Sequence, residues 1–310
     1  MNLKDLKYIV SVAESHHFGK AAERCFVSQP TLSGQIKKLE EELGVSIFER
    51  TNRSVEVTPV GEIILSHARQ ILEQVSVIQQ VAQTFEDPLA GPLRIGAIPT
   101  LSPYLMPSIL MPLKNTYPQM KLVLSEELTD SLTERLQNHE IDAALIATEV
   151  DEQEFGVIPL FREPFWLAYP CDHPIASKTE ISRADLDGAD LLLLAEGHCL
   201  AKQAMDICHQ NRKDQGDMAD LRASSLETLL QMVSAGFGST LVPALAMRGA
   251  WANDEGISTC KLKLNDAYRC ISLVYRKSYP RQQALDAFAQ VIIENLPDSV
   301  ELLARSLGSE

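Results

Sequence analysis

The sequence predicts a chain in three parts: a small helical unit closed by a hairpin, one long helix, and an α/β region of two lobes. Three observations carry this. Apolar residues in the first 44 positions repeat at helical spacing in three short runs, and a four-residue polar turn between two strand-like segments follows. Between Thr58 and Glu86 the apolar steps alternate between four and three residues. From Leu93 onward strand-like and helix-like segments alternate to the end of the chain. The length of 310 residues suggests about two domains of ~150 residues each. With 45% apolar and 23% charged residues, a disordered or fibrous chain is excluded. No apolar run approaches the roughly 18 residues of a membrane helix, and Lys4, Asp5 and Lys7 interrupt the start of the chain. A cytoplasmic protein with no membrane partner is therefore expected.

In the first part, Leu3, Leu6, Val10 and Ala13 mark one helix and Phe18, Ala21, Ala22 and Cys25 a second. Ser28 is a good N-cap for a third helix, Pro30 is tolerated in its first turn, and Gly44 can end it. Its buried stripe is Leu32, Ile36, Leu39 and Leu43. Segments 47–50 and 55–58 flank the turn Thr51-Asn52-Arg53-Ser54 and read as a hairpin.

The second part carries Ile64, Ala68, Ile71, Val75, Ile78, Ala82 and Phe85 on one seam. One helix cannot bury such a stripe alone, which implies a partner helix. A helix lying on its own domain is the other reading. The polar stretch Asp87-Pro88-Leu89-Ala90-Gly91-Pro92 then breaks the pattern.

In the third part, strands are expected at 93–98, 121–125, 142–147, 165–169, 191–194, 239–243 and 271–275. Helices are expected at 101–114, 130–138, from about 199, at 226–235 and at 282–294. Such alternation argues for a largely parallel sheet. The region is too long for one small sheet, and two lobes with a cleft between them fit its length.

The net charge of −14 argues against a nucleic-acid partner when taken whole. Its distribution softens that. Residues 1–60 hold eight basic and eight acidic residues, so the whole excess lies in 61–310. The helix pair at 18–43 has helix-turn-helix dimensions. The outward face of its second helix shows Gln29, Pro30, Ser33 and Lys37, with Thr31 near the start. Short polar groups at a helix N-terminus can read base edges in the major groove. Lys37, Lys38, Arg50 and Arg53 would hold backbone phosphates. A small helical dimerisation domain would show similar spacing.

The run from Phe18 to Gly44, with Phe48-Glu-Arg50 and Thr58-Pro-Val-Gly61, resembles the N-terminal domain of LysR-type transcriptional regulators. That resemblance implies a winged helix-turn-helix over 1–58 and a dimerising linker helix over 59–87. It implies an α/β regulatory domain similar to periplasmic binding proteins, with lobe I at 88–163 and 268–310 and lobe II at 164–267. It also implies a double-stranded DNA operator as partner, RNA polymerase when activating, and a homo-oligomer, commonly a tetramer made from two dimers.

Six cysteines without a CxxC pair exclude a disulfide scaffold and the commonest zinc pattern. The segment Glu196-Gly-His-Cys199 to Cys208-His209 is the sharpest chemical signal. Cys199 stands at an expected helix start, where the positive end of the helix favours thiolate; His198, if protonated, would add to this and Glu196 would oppose it. Nine residues of helix turn through about 900° and rise about 13.5 Å, so helical Cys199 and Cys208 sit on opposite faces. A disulfide needs Cα atoms within about 7 Å, so joining them requires the helix to unwind. An inert pair is the plain alternative. A metal site of His198, Cys199, Cys208 and His209 is a third reading, but adjacent ligands at both ends converge poorly on a tetrahedral ion. No metal and no cofactor are expected.

Gly197-His-Cys199, Gln203-Ala-Met205 and Cys208 resemble the peroxide-sensing OxyR group of the LysR-type family. So do Gly91-Pro-Leu93, Ile98-Pro-Thr100, Ser225-Leu-Glu-Thr-Leu229 and Leu273-Val-Tyr-Arg276. The resemblance implies a peroxidatic Cys199, a resolving Cys208 and hydrogen peroxide as the effector. A cytosolic thiol reductant would reset the switch. Thr100, Thr129 and His198 would serve the peroxide and Arg269 the thiolate, although Thr100 also reads as a simple N-cap. Lys202 departs from the acidic residue expected there. Two rivals stand beside this reading: a LysR-type regulator with a small metabolite in its cleft, and a thiol peroxidase. The reading helix and the seam favour a regulator over an enzyme, since a peroxidase needs neither.

Overall fold

The structure is a computed structural model that describes residues 1–50, 55–84, 88–178, 181–186, 191–208, 223–248 and 256–303. The chain divides into two compact units, Met1–Asp87 and Pro88–Glu310.

The first unit begins with α1 (Leu3–Ser15), closed by a reciprocal cap between Asn2 and Asp5. α2 (Phe18–Arg24) starts at His17, whose ring accepts the Gly19 and Lys20 N–H groups. α3 (Gln29–Leu43) is capped by Ser28, with Gly44 left-handed at its end. β1 (Phe48–Arg50) pairs antiparallel with β2 (Val55–Val57), and the turn at 51–54 lies outside the described residues. α4 (Pro59–Thr84) follows. Leu6, Ile9, Val12, Ala21, Leu32, Ile36, Leu39, Ile47 and Leu65 form one buried core. Gly61 in the Thr58-Pro-Val-Gly61 motif is required by close approach: a Cβ there would lie 2.3 Å from the Ile47 carbonyl oxygen.

The second unit places two cores on two sheets. In lobe I, β3 (Gly91–Ala97) pairs parallel with β4 (Met120–Glu126) and with β5 (Ala143–Ile146). β9 (Tyr268–Arg276) joins β5 antiparallel, and the first part of β6 (Phe155–Pro170) joins β9 antiparallel. β10 (Glu301–Leu302) closes the edge on β6. α5 (Ser102–Thr116), α6 (Thr129–Gln137) and α10 (Gln282–Glu294) contribute the helical side of this core.

In lobe II, the second part of β6 pairs antiparallel with β7 (Thr240–Pro243) and β8 (Ile257–Lys261). α7 (Arg183–Leu186), α8 (Cys199–Cys208) and α9 (Leu226–Ser234) pack on it around a separate core. β6 is thus one strand shared by both sheets. It leaves lobe I at Pro164 and enters lobe II at Phe165, whose N–H donates to the Ala267 carbonyl.

Three expectations change. The sheet is mixed rather than largely parallel, because the two long strands that run between the lobes, β6 and β9, pair antiparallel with each other. β6 starts ten residues earlier than the 165–169 segment suggests, since its first half alternates irregularly and carries Pro159 and Pro164. Segment 191–194 makes only single bridges, Leu191 to Ser239 and Leu194 to Ala223.

Candidate functional site

α8 begins at Cys199 and ends at Cys208. Gly197, with φ of 92°, turns the chain into it. A Cβ at Gly197 would also meet the Cδ1 tip of the Leu128 side chain at 2.9 Å, which that flexible side chain can relieve, so the positive φ is what favours glycine. Leu200, Ala204, Ile207 and Cys208 are sealed in the lobe II core. Cys199 is half-buried and packs instead against the lobe I core. One turn on, Gln203 Nε2 donates to the Ala147 carbonyl of lobe I at 2.8 Å. α8 therefore lies in the interface between the lobes, with one cysteine turned to each core. Its far end is held by Arg183, whose Nη1 donates to the Ile207 carbonyl at 3.0 Å while Nη2 pairs with Asp266 at 2.5 Å.

A cavity of about 550 Å³ opens at the start of α8. Its lining includes Cys199, His198 and Lys202 from this segment, Thr129 and Thr133 from α6, and Glu149 and Asp151 from the loop after β5. Thr129 is the first residue of α6, and its buried Oγ1 has no hydrogen-bond partner among the described residues. Burial lowers the His198 imidazole below its ordinary range, against a weaker opposing effect from the Ser224 backbone. The neutral ring is thus favoured, and the protonated form allowed for by the sequence reading is disfavoured.

Thr100 and Arg269 come together elsewhere in the same unit. Thr100 is buried at 2% exposure between β3 and α5, and Arg269 at 2% near the start of β9. Arg269 Nη1 donates to Thr100 Oγ1 at 2.8 Å and Nη2 to the Thr100 carbonyl at 2.9 Å. Neither residue lines the cavity at Cys199. Glu163, which sequence reasoning missed, holds the other side of the guanidinium: its Oε2 accepts from Arg269 Nε at 2.8 Å. Tyr104 on α5 bonds Glu227 on α9 across the lobes at 2.6 Å. Burial first, and then the Glu227 carboxylate, hold that phenol protonated.

In the first unit, Gln29, Pro30, Thr31, Lys37 and Lys38 are exposed on α3, and Ser33 is half-buried. Thr31 Oγ1 bonds Ser28 Oγ at 2.8 Å, and Lys37 lies 3.8 Å from Glu41. Arg50 ends β1, while Arg53 falls outside the described residues. Glu40 also escaped the sequence reading. Its Oε1 accepts the Ile47 and Phe48 N–H groups at 2.7 and 3.1 Å, tying α3 to the hairpin.

On α4 the seam residues meet different surroundings. Ala68 is fully buried in the unit's own core and Ile64 packs against it, whereas Ile71 and Ile78 are 41% and 68% exposed and Val75 is half-buried. The Ala82 side chain and all of Phe85 lie outside the described residues. Among the described residues, no helix is long and apolar enough to cross a membrane.

Residues 3–62 match the bacterial regulatory helix-turn-helix protein, lysR family, and residues 86–297 match the LysR substrate binding domain. The chain is 41% identical over 305 residues to the hydrogen peroxide-inducible genes activator of Pectobacterium carotovorum subsp. carotovorum, covering 98% of this chain and 100% of that one. It is 42% identical over 292 residues to the DNA-binding transcriptional dual regulator OxyR of Escherichia coli (strain K12), covering 94% and 95%. Full-length OxyR C199D from Pseudomonas aeruginosa superposes with a TM-score of 0.80 at 40% identity, covering 96% of this chain and 99% of that one. An H2O2-bound mutant of Corynebacterium glutamicum OxyR, with one cysteine replaced by serine, superposes with a TM-score of 0.66 at 36% identity, covering 95% and 92%. This is a family of regulators rather than enzymes, so the thiol peroxidase reading falls. The chain belongs to the LysR-type transcriptional regulators and, within them, to the OxyR group.

Proposed function

We propose that this regulator reads peroxide at Cys199 and converts the oxidation into a rearrangement of α8 through Cys208. The observation that carries the reading is the placement of the two thiols. One stands half-buried beside a cavity whose lining includes Thr129, His198 and Lys202, and the other is sealed in a hydrophobic core at the far end of the same helix. The Cys199 thiolate attacks one peroxide oxygen. An S–O bond forms, the O–O bond breaks, sulfur is oxidised by two electrons, and the other oxygen leaves as hydroxide and takes a proton from solvent. The Cys208 thiolate then displaces hydroxide from the sulfenic acid and forms the disulfide.

Thr129 supports a polar ligand at this site, because its buried hydroxyl oxygen has no described partner within the cavity lining. Neutral His198 spends its one N–H on the Ser224 backbone, which leaves its other ring nitrogen as an acceptor next to the cysteine in sequence. The resemblance adds Thr100 and Arg269 to the residues that serve peroxide, although neither lines this cavity. The bond Cys199–Cys208 cannot form across an intact α8, whose ends are about 13.5 Å apart along the axis. Oxidation therefore melts part of the helix that lies between the two lobes.

In this reading 1–58 reads the DNA operator, and 59–87 joins two copies. Lobe I, 88–163 with 268–310, and lobe II, 164–267, carry the sensor. Gln29, Pro30, Thr31 and Ser33 face the bases, while Lys37, Lys38, Arg50 and Arg53 hold phosphates. The working form is a tetramer made from two dimers in the cytoplasm. It engages RNA polymerase when activating and is reset by a thiol reductant.

The cavity volume favours one second reading. About 550 Å³ is far larger than peroxide and lies within the ordinary range for small-molecule sites, which suits a metabolite effector. One experiment separates the two: intact mass and peptide mapping after one equivalent of hydrogen peroxide. A loss of two hydrogens with the Cys199 and Cys208 peptides joined supports the switch. Thiols that stay titratable, with a Cys199→Ser variant that keeps its transcriptional response, support the metabolite reading.

A further inference from the structure

The walls of the cavity at Cys199 carry unequal charge. Asp130 in the first turn of α6, Glu149 and Asp151 on the loop after β5, and Glu154 just before β6 line it from lobe I. Among the described residues of the lining, Lys202, one turn beyond Cys199 on α8, is the only lysine or arginine. Among the described residues none of the four carboxylates shares an ion pair, with Lys202 or with any other cation. The donors that two of them do meet are neutral: Gln137 Nε2 donates to Glu154 Oε1 at 2.9 Å, and the Gln153 N–H donates to Asp151 Oδ1 at 2.8 Å. The negative charge of this wall is therefore not cancelled within the cavity that Cys199 lines.

Charges of one sign around a concave site act together. Low-dielectric walls focus their field, which changes the arrival rate of charged molecules by roughly 10- to 1,000-fold. An anion that approaches Cys199 must enter this field, whereas an uncharged molecule of the same size enters without that cost. Volume does not make the distinction, because about 550 Å³ holds a small anion and its neutral counterpart alike.

We infer that the acidic wall of Asp130, Glu149, Asp151 and Glu154 is a charge filter for the sensor: it admits uncharged hydroperoxides to Cys199 and turns away anionic oxidants. The inference rests on the reading in which Cys199 is the sulfur that peroxide oxidises. Oxidants of both kinds do the same chemistry there. With hydrogen peroxide the thiolate forms an S–O bond, the O–O bond breaks and hydroxide leaves; with peroxymonosulfate the S–O bond forms, the O–O bond breaks and sulfate leaves. Sulfur loses two electrons either way, and the two reagents differ at the cavity in the charge they bring.

The test uses the full-length protein with Cys208 replaced by serine and two alkylating agents of similar size, uncharged iodoacetamide and anionic iodoacetate. Both expel iodide as the sulfur–carbon bond forms, so the ratio of their rates cancels any change in the thiolate itself. Peptide mapping separates Cys199 from the exposed Cys171 and Cys270. At ~10 mM salt the iodoacetate-to-iodoacetamide ratio at Cys199 is expected about tenfold below that of free cysteine. At ~1 M salt, where charges are screened beyond about 3 Å, it returns toward the free value. The double variant E149Q/D151N raises the low-salt ratio about threefold, and Lys202→Gln lowers it about twofold. Sulfenate formation by peroxymonosulfate and by hydrogen peroxide, each divided by its rate with free cysteine, follows the same order. A low-salt ratio equal to that of free cysteine overturns the inference. So does a low ratio that neither salt nor E149Q/D151N moves, since shape and not charge would then exclude the anion. A parent protein whose Cys199 is left unoxidised by hydrogen peroxide overturns the functional reading, and this inference with it. A parent that is oxidised normally and shows no charge selection overturns this inference alone.

Discussion

Disulfide formation in this chain should be limited by the opening of the last turn of α8. Cys208 is fully buried, Ile207 beside it is 7% exposed, and Arg183 caps the Ile207 carbonyl. Exposing Ile207 costs about 2 kcal/mol. The buried thiol and the lost cap each add about 1 kcal/mol. The turn is then open in about one molecule in a thousand, taking ~1.4 kcal/mol per factor of ten. Ile207→Ala removes about 2 kcal/mol of what holds it closed, so the open fraction rises roughly thirtyfold. The sulfenate at Cys199 should therefore disappear up to about thirtyfold faster in Ile207→Ala. The first step, which uses only the cavity side of the helix, should change less than about twofold. Rapid quenching with a sulfenate-specific reagent, followed by mass analysis, follows both steps. Hydrogen exchange over 204–208 reports whether the turn has loosened. A loosened turn with an unchanged sulfenate lifetime would refute the argument, because opening would then lie off the path to the disulfide.

Arg183→Met should weaken the same end by about 1 kcal/mol, seen as local hydrogen exchange at 204–208 that quickens about fivefold; a uniform change across lobe II would argue for a different role. His198 bears on pH. Its folded pKa lies below the unfolded value near 6.5, so the unfolded chain binds more protons between the two values, and the stability due to this neutral ring is present above pH 6.5 and lost as pH falls toward the folded pKa. His198→Gln should flatten that part of the unfolding-midpoint profile, and an unchanged slope would assign it to other groups. For DNA, Lys37→Ala and Lys38→Ala should each lower the slope of log affinity against log salt by about 0.9 without altering sequence preference. A changed preference would mean that the lysine reads bases. On α4, Ile78→Glu should shift sedimentation toward the monomer mass, whereas Ala68→Glu should chiefly unfold the first unit, where Ala68 is buried. A dimer that survives Ile78→Glu would move the interface away from this seam.

Local chemistry was legible along much of the chain. Ser28 before α3, Gly44 after it and the bounds of α10 follow from cap preferences and a 3.6-residue period, which act within a few residues. The opposition of Cys199 and Cys208 on one helix also follows from spacing alone. Other features depend on segments distant in the chain, and no local period encodes them. β6 reads weakly as a strand at its start because Pro159 and Pro164 interrupt it, yet β9 and β10 pair with it there. Ala68 fits a seam by spacing, and only packing beneath the first three helices consigns it to the core. Glu40 looks like one of many surface acids until the hairpin folds back to donate two N–H groups to it. Glu163, 106 positions before Arg269, becomes its partner only when the crossing strands meet. Residue types and periods were enough to place the helices and the thiols, but burial and the pairing of charges are set by which distant surfaces close on one another. That closure decides that Cys199 is reachable and Cys208 is not.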